Sequence, residues 1–355
     1  MLTEHDDTLD ILVIRLGALG DVANVIRAVA ALRRSLPEAR IAWLVEEGAR
    51  DLVDASSVAE RILVFPRRRL AHLFRRPWRW PAGLVEGRRF IRQLRGSRYD
   101  WVLDFQGNLK GGMLGMLSGC RNRVGFDRGH SREGNWLFNH VAAVPSSVRM
   151  PRAEKFAALA QVVAPDLELG DVELREDADA AAGVGRFLAE EVPGDGPLVV
   201  IHPGVSDFGE FKRWPAERFG KVARRLSEEM SARCVVTQGP GEAALAHAVA
   251  DAAGGVARVA PLLPIPGLIA LLRGANVVIA ADTGPLHIAA LLRKPVVGIF
   301  TAKDPVIYTP YGTRCEIVRA GVACSPCTRR KCTDLRCVDK ISVGDVVAAV
   351  GRLRK

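Results

Sequence analysis

Long apolar runs are absent from this chain of 355 residues. A membrane-spanning helix needs about 20 consecutive apolar residues, and the apolar stretch "AALLRKPVVGIF" is interrupted by Arg293 and Lys294. The opening "MLTEHDDTLD" is acidic and has neither the basic start nor the apolar centre of a signal peptide. We therefore expect a cytoplasmic protein, in which most of the seven cysteines stay reduced.

Internal repeats at a solenoid period and low-complexity segments are also missing. The loop "RLGALGD" matches neither of two common nucleotide-binding fingerprints: it lacks G-x-G-x-x-G and does not end in Gly-Lys-Ser/Thr as a P-loop does. The missing glycine fingerprint argues against a Rossmann oxidoreductase.

Acidic residues are scarce in one segment, residues 61–98, which contains twelve arginines and a single acid, Glu86. Residues 1–152 carry 25 Lys or Arg against 16 Asp or Glu, whereas the remainder carries 25 against 24. Such a cationic half attracts polyanions, which include nucleic acid, an anionic membrane face and a phosphorylated substrate. Solvated basic helices are the simpler explanation, and the charge alone does not exclude them.

The distribution of apolar residues predicts two domains, as the length does. Continuous apolar runs alternate with amphipathic stretches, which indicates parallel sheets covered on both faces by helices. The runs are "ILVIR", "RIAWLVE", "RILVF", "YDWVLDF", "PLVVIHPG", "RCVVTQG", "ANVVIAADTG" and "PVVGIFT". The pattern restarts after residues 166–195, so we predict an α/β protein with doubly wound domains 1–175 and 176–355 that face each other across a cleft.

The stretch "ILVIRLGALGDVANVIRAV" joins a strand to a helix through Gly17 and Gly20, followed by Asp21. One interpretation makes Asp21 a helix N-cap, which accepts backbone N–H bonds and complements the helix dipole. The other makes the glycines space for a substrate and Asp21 a general base. The loop by itself does not decide between them.

The stretch "ADTGPLHIAALL" places Asp282, Thr283 and Gly284 where a strand ends and a helix begins. The unpaired N–H groups of a helix start are suited to bind phosphate. His287 falls in the first turn of the same helix, where the alternative is an ordinary packed histidine.

Two further strand-to-helix loops carry candidate nucleotide contacts. "HPGVSDFGEFKRWP" contains Ser206 and Lys212, and a lysine there would be a mobile charge for a diphosphate, or simply a solvated loop residue. "TQGPGEAALAHA" contains Glu242, whose carboxylate could hold ribose hydroxyls. Its alternative is an acidic first turn of a helix.

Together these motifs resemble the heptosyltransferases of glycosyltransferase family 9, over nearly the whole chain. The motifs occur in the order "RLGALGDV", "WLVEEG", "DWVLDFQGNLKGG", "SREGNWLFNH", "FKRWP" and "ADTGPLHIAALLRKPVVGIF". The pattern is most similar to heptosyltransferase I, which adds the first heptose to Kdo₂-lipid A.

The resemblance implies a GT-B fold and an inverting transfer from ADP-heptose that requires no cofactor. Asp21 would be the catalytic base on a Kdo hydroxyl. The donor contacts would be Ser206, Lys212, Glu242, Asp282, Thr283, Gly284 and His287. The helix start and the lysine would stabilise charge on the departing ADP.

The resemblance also implies an acidic acceptor, which the basic half suits. Arg67, Arg68 and Arg69 match a basic loop that the family uses against its acceptor, and Lys110 and Arg132 match further acceptor positions. Arginine binds carboxylate and phosphate bidentately. The neighbouring "LAHLFRRPWRWPAGL" mixes Arg with Phe74, Trp78 and Trp80, as a segment on the anionic cytoplasmic face of the inner membrane would. A basic loop whose aromatic residues pack inward is the alternative.

A cysteine cluster, "CSPCTRRKCTDLRC", contains Cys324, Cys327, Cys332 and Cys337. Its spacing could hold one structural Zn²⁺ or iron ion, although only its first half has the form of a zinc knuckle. Reduced thiols or a disulfide are the alternatives. Similar cysteine-rich segments occur in some members of the family that the chain resembles, notably near heptosyltransferase II, whereas many members of the heptosyltransferase I type lack them.

Two competing functions remain open from the sequence. One is another family 9 transferase that adds a later heptose or a different sugar. The other is a non-catalytic nucleic-acid-binding protein, which the basic half and the cysteine cluster suggest. The cations are not interleaved with a recognisable nucleic-acid motif, so we expect no nucleic-acid partner.

Overall fold

The computed structural model describes residues 8–205, 213–327, 329 and 332–354. The chain divides into two compact units, Met1–Val172 (unit 1) and Glu173–Lys355 (unit 2). The boundary lies in the stretch that has no strand pattern in the sequence. No helix within the described residues has the length and apolar character that a membrane span requires.

Unit 1 contains one sheet of six parallel strands in the order β3-β2-β1-β4-β5-β6. The strands are β1 (Asp10–Ile14), β2 (Arg40–Glu46), β3 (Arg61–Phe65), β4 (Trp101–Asp104), β5 (Arg123–Phe126) and β6 (Val141–Ala143). The helices are α1 (Leu19–Ser35), α2 (Glu47–Ser56), α3 (Arg67–Phe74), α4 (Trp80–Leu94), α5 (Leu109–Leu117) and α6 (Arg152–Ala160).

Burial explains why these segments form a covered sheet. Residues 11–14 of β1 are fully buried, so their side chains pack on both faces, as the continuous apolar run predicts. On one face, Phe90 and Leu94 of α4 pack with Leu12 and Leu44. A parallel strand pair needs a crossover connection, which the helices supply.

Unit 2 repeats this architecture with six parallel strands in the order β12-β11-β10-β7-β8-β9. The strands are β7 (Leu198–His202), β8 (Arg233–Val236), β9 (Ala257–Val259), β10 (Val277–Ala281), β11 (Val296–Ile299) and β12 (Cys315–Val318). The helices are α7 (Ala178–Glu191), α8 (Ala216–Met230), α9 (Ala243–Ala253), α10 (Ile265–Gly274), α11 (Gly284–Leu291), α12 (Pro305–Tyr308), α13 (Arg336–Asp339) and α14 (Val343–Arg354).

Both sheets are doubly wound, which confirms the predicted α/β fold class. The direction of winding reverses between β1 and β4 in unit 1, and between β7 and β10 in unit 2. Ligands of doubly wound sheets bind at the carboxyl ends of the strands beside such a reversal. The loops that follow these four strands are therefore the places to look for a site in each unit.

Candidate functional site

The loop after β1 places Asp21 in the first turn of α1. The N-cap residue of this helix is Ala18, whose φ of 58° is unusual for a residue with a side chain. Asp21 is therefore not the N-cap residue, although its charge still complements the helix dipole. An added Cβ on Gly17 would make only an ordinary contact, 3.8 Å from Glu46 Oε2. In this loop the positive φ is adopted by Ala18.

Two guanidinium groups hold the Asp21 carboxylate. Arg15 Nη2 contacts Oδ2, and Arg152 Nη1 lies 2.8 Å from Oδ1. Burial lowers the pKa of Arg15, but a guanidinium keeps its charge in proteins. Since neighbouring cations favour the charged form of a carboxylate, Asp21 is an ionised group. It is also accessible, because 20% of its side chain is exposed.

Arg15 is itself fixed by backbone acceptors. Its Nε donates to Gly17 O at 3.2 Å and its Nη1 donates to Phe105 O at 3.0 Å, and only 7% of the side chain is exposed. The Leu16 N–H donates to Gln106 Oε1 at 3.1 Å. These bonds fasten the loop after β1 to the loop after β4, which are the two loops at the reversal of unit 1.

The loop after β4 is organised around the buried carboxyl group of Asp104. Its Oδ1 accepts from the N–H groups of Gln106 (2.9 Å) and Gly107 (3.3 Å), and its Oδ2 accepts from Asn135 Nδ2 at 2.6 Å. Burial raises the pKa of Asp104 to about 6. A Cβ on Gly111 would lie 2.4 Å from Oδ1, so the motif needs a glycine there.

The predicted acceptor cations gather at the same edge of the unit 1 sheet. A cavity of about 600 Å³ is lined by Gly17, Glu46, Arg67, Arg68, Arg69 and Glu86, among other residues. Glu46 organises the cations, because its Oε2 lies 3.2 Å from Arg67 Nη1 and its Oε1 lies 3.5 Å from Lys110 Nζ. Arg69 pairs with Glu86 at 3.3 Å.

Arg132 and α6 contribute a second group of cations. The Arg132 N–H donates to Gly107 O at 2.9 Å, so this residue adjoins the loop after β4. Lys155 Nζ donates to His130 O at 2.8 Å and lies 4.4 Å from the centre of the Phe126 ring. Burial, followed by the charges of Arg152 and Arg132, lowers the pKa of Lys155 to about 8. Cationic charge is therefore concentrated beside Asp21.

In unit 2, Asp282 and His287 meet at the start of α11. His287 Nε2 lies 3.0 Å from Asp282 Oδ1. Thr283 is the N-cap residue, but its hydroxyl donates to Ala281 O at 3.2 Å and makes no capping bond. Thr283 thus gives α11 no side-chain cap, and the N–H group of Gly284, the first residue of the helix, can bind an anion.

Lys303 adds a cation to this group. Its Nζ lies 3.8 Å from Asp282 Oδ2 and 4.2 Å from the centre of the Tyr308 ring. Lys303 follows β11, the strand beside β10, so the ends of adjacent strands bring it to Asp282.

Glu242 connects the loops after β7 and β8. Its Oε2 accepts from the Gly239 N–H at 2.7 Å and lies 3.9 Å from His202 Nε2. Gly204 also adjoins this carboxylate, because an added Cβ would lie 2.3 Å from its oxygens. Burial lowers the pKa of His202 to about 4, so the imidazole is neutral at pH 7. Glu242 is thus turned toward its own loop, and its role toward ribose stays a prediction.

Ser206 and Lys212 lie outside the described residues. The motif that contains Lys212 is described from Arg213 onward, and its Trp214 is buried in unit 2, where Nε1 donates to Ile341 O at 3.2 Å.

The four clustered cysteines differ in burial and in their contacts. Cys337 is buried in the core of unit 2, whereas Cys324 is exposed. Cys332 Sγ donates to Asp334 O at 3.2 Å and Cys327 Sγ accepts from the Arg329 N–H. Over the part of the chain that the structure describes, no three His, Cys, Asp or Glu side chains are placed to hold a metal ion. Structural zinc or iron at these cysteines therefore stays a prediction.

Sequence reasoning missed four contacts of this site. Arg15 left a signal, since a cation interrupts an otherwise apolar run just before the glycines. The sequence has no such signal for the other three residues, Arg152, Lys155 and Lys303. Each contacts its partner only because elements that are distant in the chain, or strands that are neighbours in the sheet, pack together.

Known proteins similar to this chain include lipopolysaccharide heptosyltransferases. The chain is 28% identical over 334 residues to lipopolysaccharide heptosyltransferase 1 of Pseudomonas aeruginosa, with 91% of this chain and 87% of the relative covered. It is 25% identical over 317 residues to the enzyme of the same name from Escherichia coli K12, with 87% and 93% covered.

Solved structures share the fold. The E. coli heptosyltransferase WaaC with ADP superposes with a TM-score of 0.76 at 21% identity, covering 97% of this chain and 100% of that one. A family 9 glycosyltransferase from Veillonella parvula superposes with a TM-score of 0.80 at 19% identity, covering 97% of each chain. The family model "Glycosyltransferase family 9 (heptosyltransferase)" matches residues 87–337. The chain therefore belongs to glycosyltransferase family 9 and is an enzyme that transfers glycosyl groups.

Proposed function

We propose that this enzyme transfers heptose from ADP-heptose to a Kdo hydroxyl of Kdo₂-lipid A, in the synthesis of the lipopolysaccharide inner core. The observation that carries the proposal is the ionised, partly exposed carboxylate of Asp21 at the sheet reversal of unit 1, among cations suited to an acidic acceptor. The names of the relatives, and the solved complexes of a structural neighbour with ADP and with an ADP-heptose analogue, support the same substrates.

In the proposed reaction, Asp21 removes the proton of the acceptor hydroxyl. The hydroxyl oxygen forms a bond to the anomeric carbon of the heptose, while the bond from that carbon to the phosphate oxygen breaks and ADP departs with the electron pair. A single displacement of this kind inverts the anomeric configuration. A positioned base contributes roughly 10²–10⁴-fold to such a step.

Unit 2 would bind the donor. The N–H groups of the N-cap residue Thr283 and of Gly284, at the start of α11, are suited to the diphosphate, with Ser206 and Lys212 as further contacts. Asp282 and His287 would lie against the donor, and Glu242 against the ribose. Positive charge at the diphosphate stabilises the leaving ADP, so the proposed step uses no cofactor.

Unit 1 would bind the acceptor. Kdo₂-lipid A carries carboxylates and phosphates, and Arg67, Arg68, Arg69 and Lys110 line or adjoin the 600 Å³ cavity beside Gly17. Glu46 holds Arg67 and Lys110 in place without cancelling their combined charge. Arg132 is the further acceptor contact.

The acceptor is a lipid, and α3, α4 and the turn between them carry a surface suited to an anionic membrane. We define the basic aromatic surface as Phe74, Trp78, Trp80, Leu84 and Val85 with the neighbouring arginines. Trp78 is 72% exposed and Val85 is 62% exposed. The Arg76 guanidinium lies 5.5 Å from the centre of the Trp78 ring. Exposed aromatic residues among cations bind anionic bilayers, to which each cation contributes about 1 kcal/mol. The enzyme would thus work as a peripheral protein at the cytoplasmic face of the inner membrane.

An acceptor series tests the reaction. The wild-type enzyme is given ADP-heptose with Kdo₂-lipid A, with Kdo₂-lipid A that already carries one heptose, or with no acceptor, and ADP and lipid mass are measured. ADP release matched by heptosylation of Kdo₂-lipid A is the expected result. Turnover with the heptosylated lipid but not with Kdo₂-lipid A would favour a transferase that adds a later sugar. No turnover with either lipid would contradict the proposal.

A further inference from the structure

Asp21 is held by two arginines that differ in how firmly they are fixed. Arg15 contacts Oδ2, is 7% exposed and also donates to two backbone carbonyl groups. Arg152 contacts Oδ1 from the first residue of α6 and is 23% exposed. The carboxylate therefore has a buried, fixed cation on one oxygen and a solvent-reaching cation on the other.

This arrangement limits Asp21 as a base. An acceptor hydroxyl must approach one of the carboxylate oxygens to hydrogen-bond distance before its proton can transfer. Arg152, the more exposed of the two arginines, lies on Oδ1, and its charge stabilises the ionised carboxylate and so makes it a weaker proton acceptor. Exchange of the guanidinium for the hydroxyl at Oδ1 would remove this stabilising charge and leave the oxygen to the hydroxyl.

The surroundings of Arg152 favour such an exchange when an anion arrives. Lys155 lies one turn further along α6, and burial, followed by the charges of Arg152 and Arg132, lowers its pKa. Cations that lie close together attract an anionic group. A guanidinium forms comparable bidentate pairs with carboxylate and with phosphate, so Arg152 can leave Asp21 for such a group without losing an ionic partner.

We propose that Arg152 covers the Asp21 carboxylate until the acceptor binds, and that a carboxylate or phosphate of the acceptor then draws Arg152 away and exposes Oδ1 to the acceptor hydroxyl. Arg152 is in this role a positioning residue, which links binding of an anionic acceptor to exposure of the base. The inference rests on the proposed transfer reaction and adds to it the reason why water is not deprotonated instead.

The test compares Arg152→Ala and Arg152→Gln with the wild type and with Arg50→Ala. Arg50 is an exposed arginine on α2 and serves as the matched control. Three quantities are measured: ADP release from ADP-heptose without acceptor, KM and kcat with Kdo₂-lipid A, and the pH dependence of kcat/KM.

Both Arg152 variants are expected to raise the KM for the acceptor about tenfold or more, since a hydrogen bond between charged groups is lost, with little change in kcat. They are expected to raise acceptor-independent ADP release several-fold, because water now reaches Oδ1. The acidic limb of the pH profile should move to higher pH, because Asp21 keeps Arg15 and Lys155 nearby but loses the guanidinium on Oδ1, which favours its charged form. Arg50→Ala should change none of these.

Unchanged hydrolysis and an unchanged acceptor KM in both Arg152 variants would overturn the proposal. So would a loss of kcat with an unchanged acceptor KM, because Arg152 would then be a fixed part of the site. A wild-type enzyme that produces no heptosylated lipid would instead contradict the proposed function, which separates the two failures.

Discussion

A carboxylate that accepts a proton from an alcohol must be ionised and held in one orientation, and Asp21 meets both conditions through Arg15. The buried guanidinium binds Oδ2 while its other nitrogens bind the Gly17 and Phe105 carbonyl groups. Because Phe105 belongs to the loop after β4, the orientation of Asp21 depends on that loop and on the buried Asp104 that precedes it.

Asp104 makes the stability of the loop depend on pH. Its pKa is about 6 in the fold against 3.8 for an unperturbed aspartate, so the folded state binds the proton more tightly than the unfolded chain. The stability that this group contributes is complete below about pH 3.8 and is lost as the pH rises through about 6. Relative to Asp104→Asn, the wild type should lose on the order of 3 kcal/mol of unfolding free energy across this range.

Urea unfolding of both proteins between pH 4 and 7 measures this difference. The difference in unfolding free energy between the two proteins could instead be independent of pH or change in the opposite direction. Either result would show that Asp104 does not bind a proton more tightly in the folded protein than in the unfolded chain.

Lys303 offers a prediction for the donor site. Its ammonium group partly offsets the Asp282 carboxylate beside the start of α11, where the diphosphate is proposed to bind. Lys303→Ala should raise the KM for ADP-heptose about threefold, a modest effect because the lysine is largely exposed, and should leave kcat nearly unchanged. Steady-state kinetics with Lys340→Ala, an exposed lysine beyond α13, provides the control. An unchanged donor KM would remove Lys303 from the donor site.

At the scale of elements, the long buried strands could be predicted from the sequence and the short edge strands could not. β1, β2 and β7 have continuous apolar runs, whereas β6 and β9 have only three residues each. A run of that length has no periodicity, and only pairing with a neighbouring strand makes it part of a sheet. The loops after the central strands could be located because each one begins where a continuous apolar run ends.

The α3–α4 hairpin shows what packing adds to composition. The sequence predicts a basic segment with aromatic residues but does not say whether they point inward. Gly83 lies so close to the Phe74 ring that an added Cβ would be 2.9 Å away, so the two helices pack tightly through the edge of that ring. Trp78 and Trp80 remain exposed, against the alternative that the aromatic residues pack inward.

The basic aromatic surface should govern membrane binding. Replacing Trp78 and Trp80 together by serine should reduce co-sedimentation with phosphatidylglycerol vesicles about tenfold, because two aromatic side chains no longer enter the interface. Trp136→Ser, which changes a partly exposed tryptophan of unit 1 that does not belong to this surface, should bind as the wild type does. Equal binding by the double variant, or equal binding of the wild type to neutral phosphatidylcholine vesicles, would contradict the assignment.

Across the whole molecule, the distribution of charge matches the proposed roles of the two units, in which unit 1 binds the acceptor and unit 2 binds the donor. The formal net charge of +10 comes almost entirely from residues 1–152, which belong to the unit assigned to the acidic acceptor. The sequence predicts this asymmetry, the two doubly wound sheets and the family. It could not predict that Arg152 reaches Asp21, because that contact depends on how α6 packs against α1 and not on any local pattern.

Heptosyl transfer by Asp21→Asn, compared with the wild type and with Asp51→Asn, is the measurement to make first. Asparagine keeps the size of the side chain but cannot accept the proton, and Asp51 is an exposed aspartate on α2. Heptosylated Kdo₂-lipid A is quantified by mass under saturating ADP-heptose, and ADP binding is measured in parallel. We expect Asp21→Asn to lose roughly 10²–10⁴-fold in kcat while it binds ADP normally, and Asp51→Asn to match the wild type. Near-normal transfer by Asp21→Asn would contradict the assignment of Asp21 as the base.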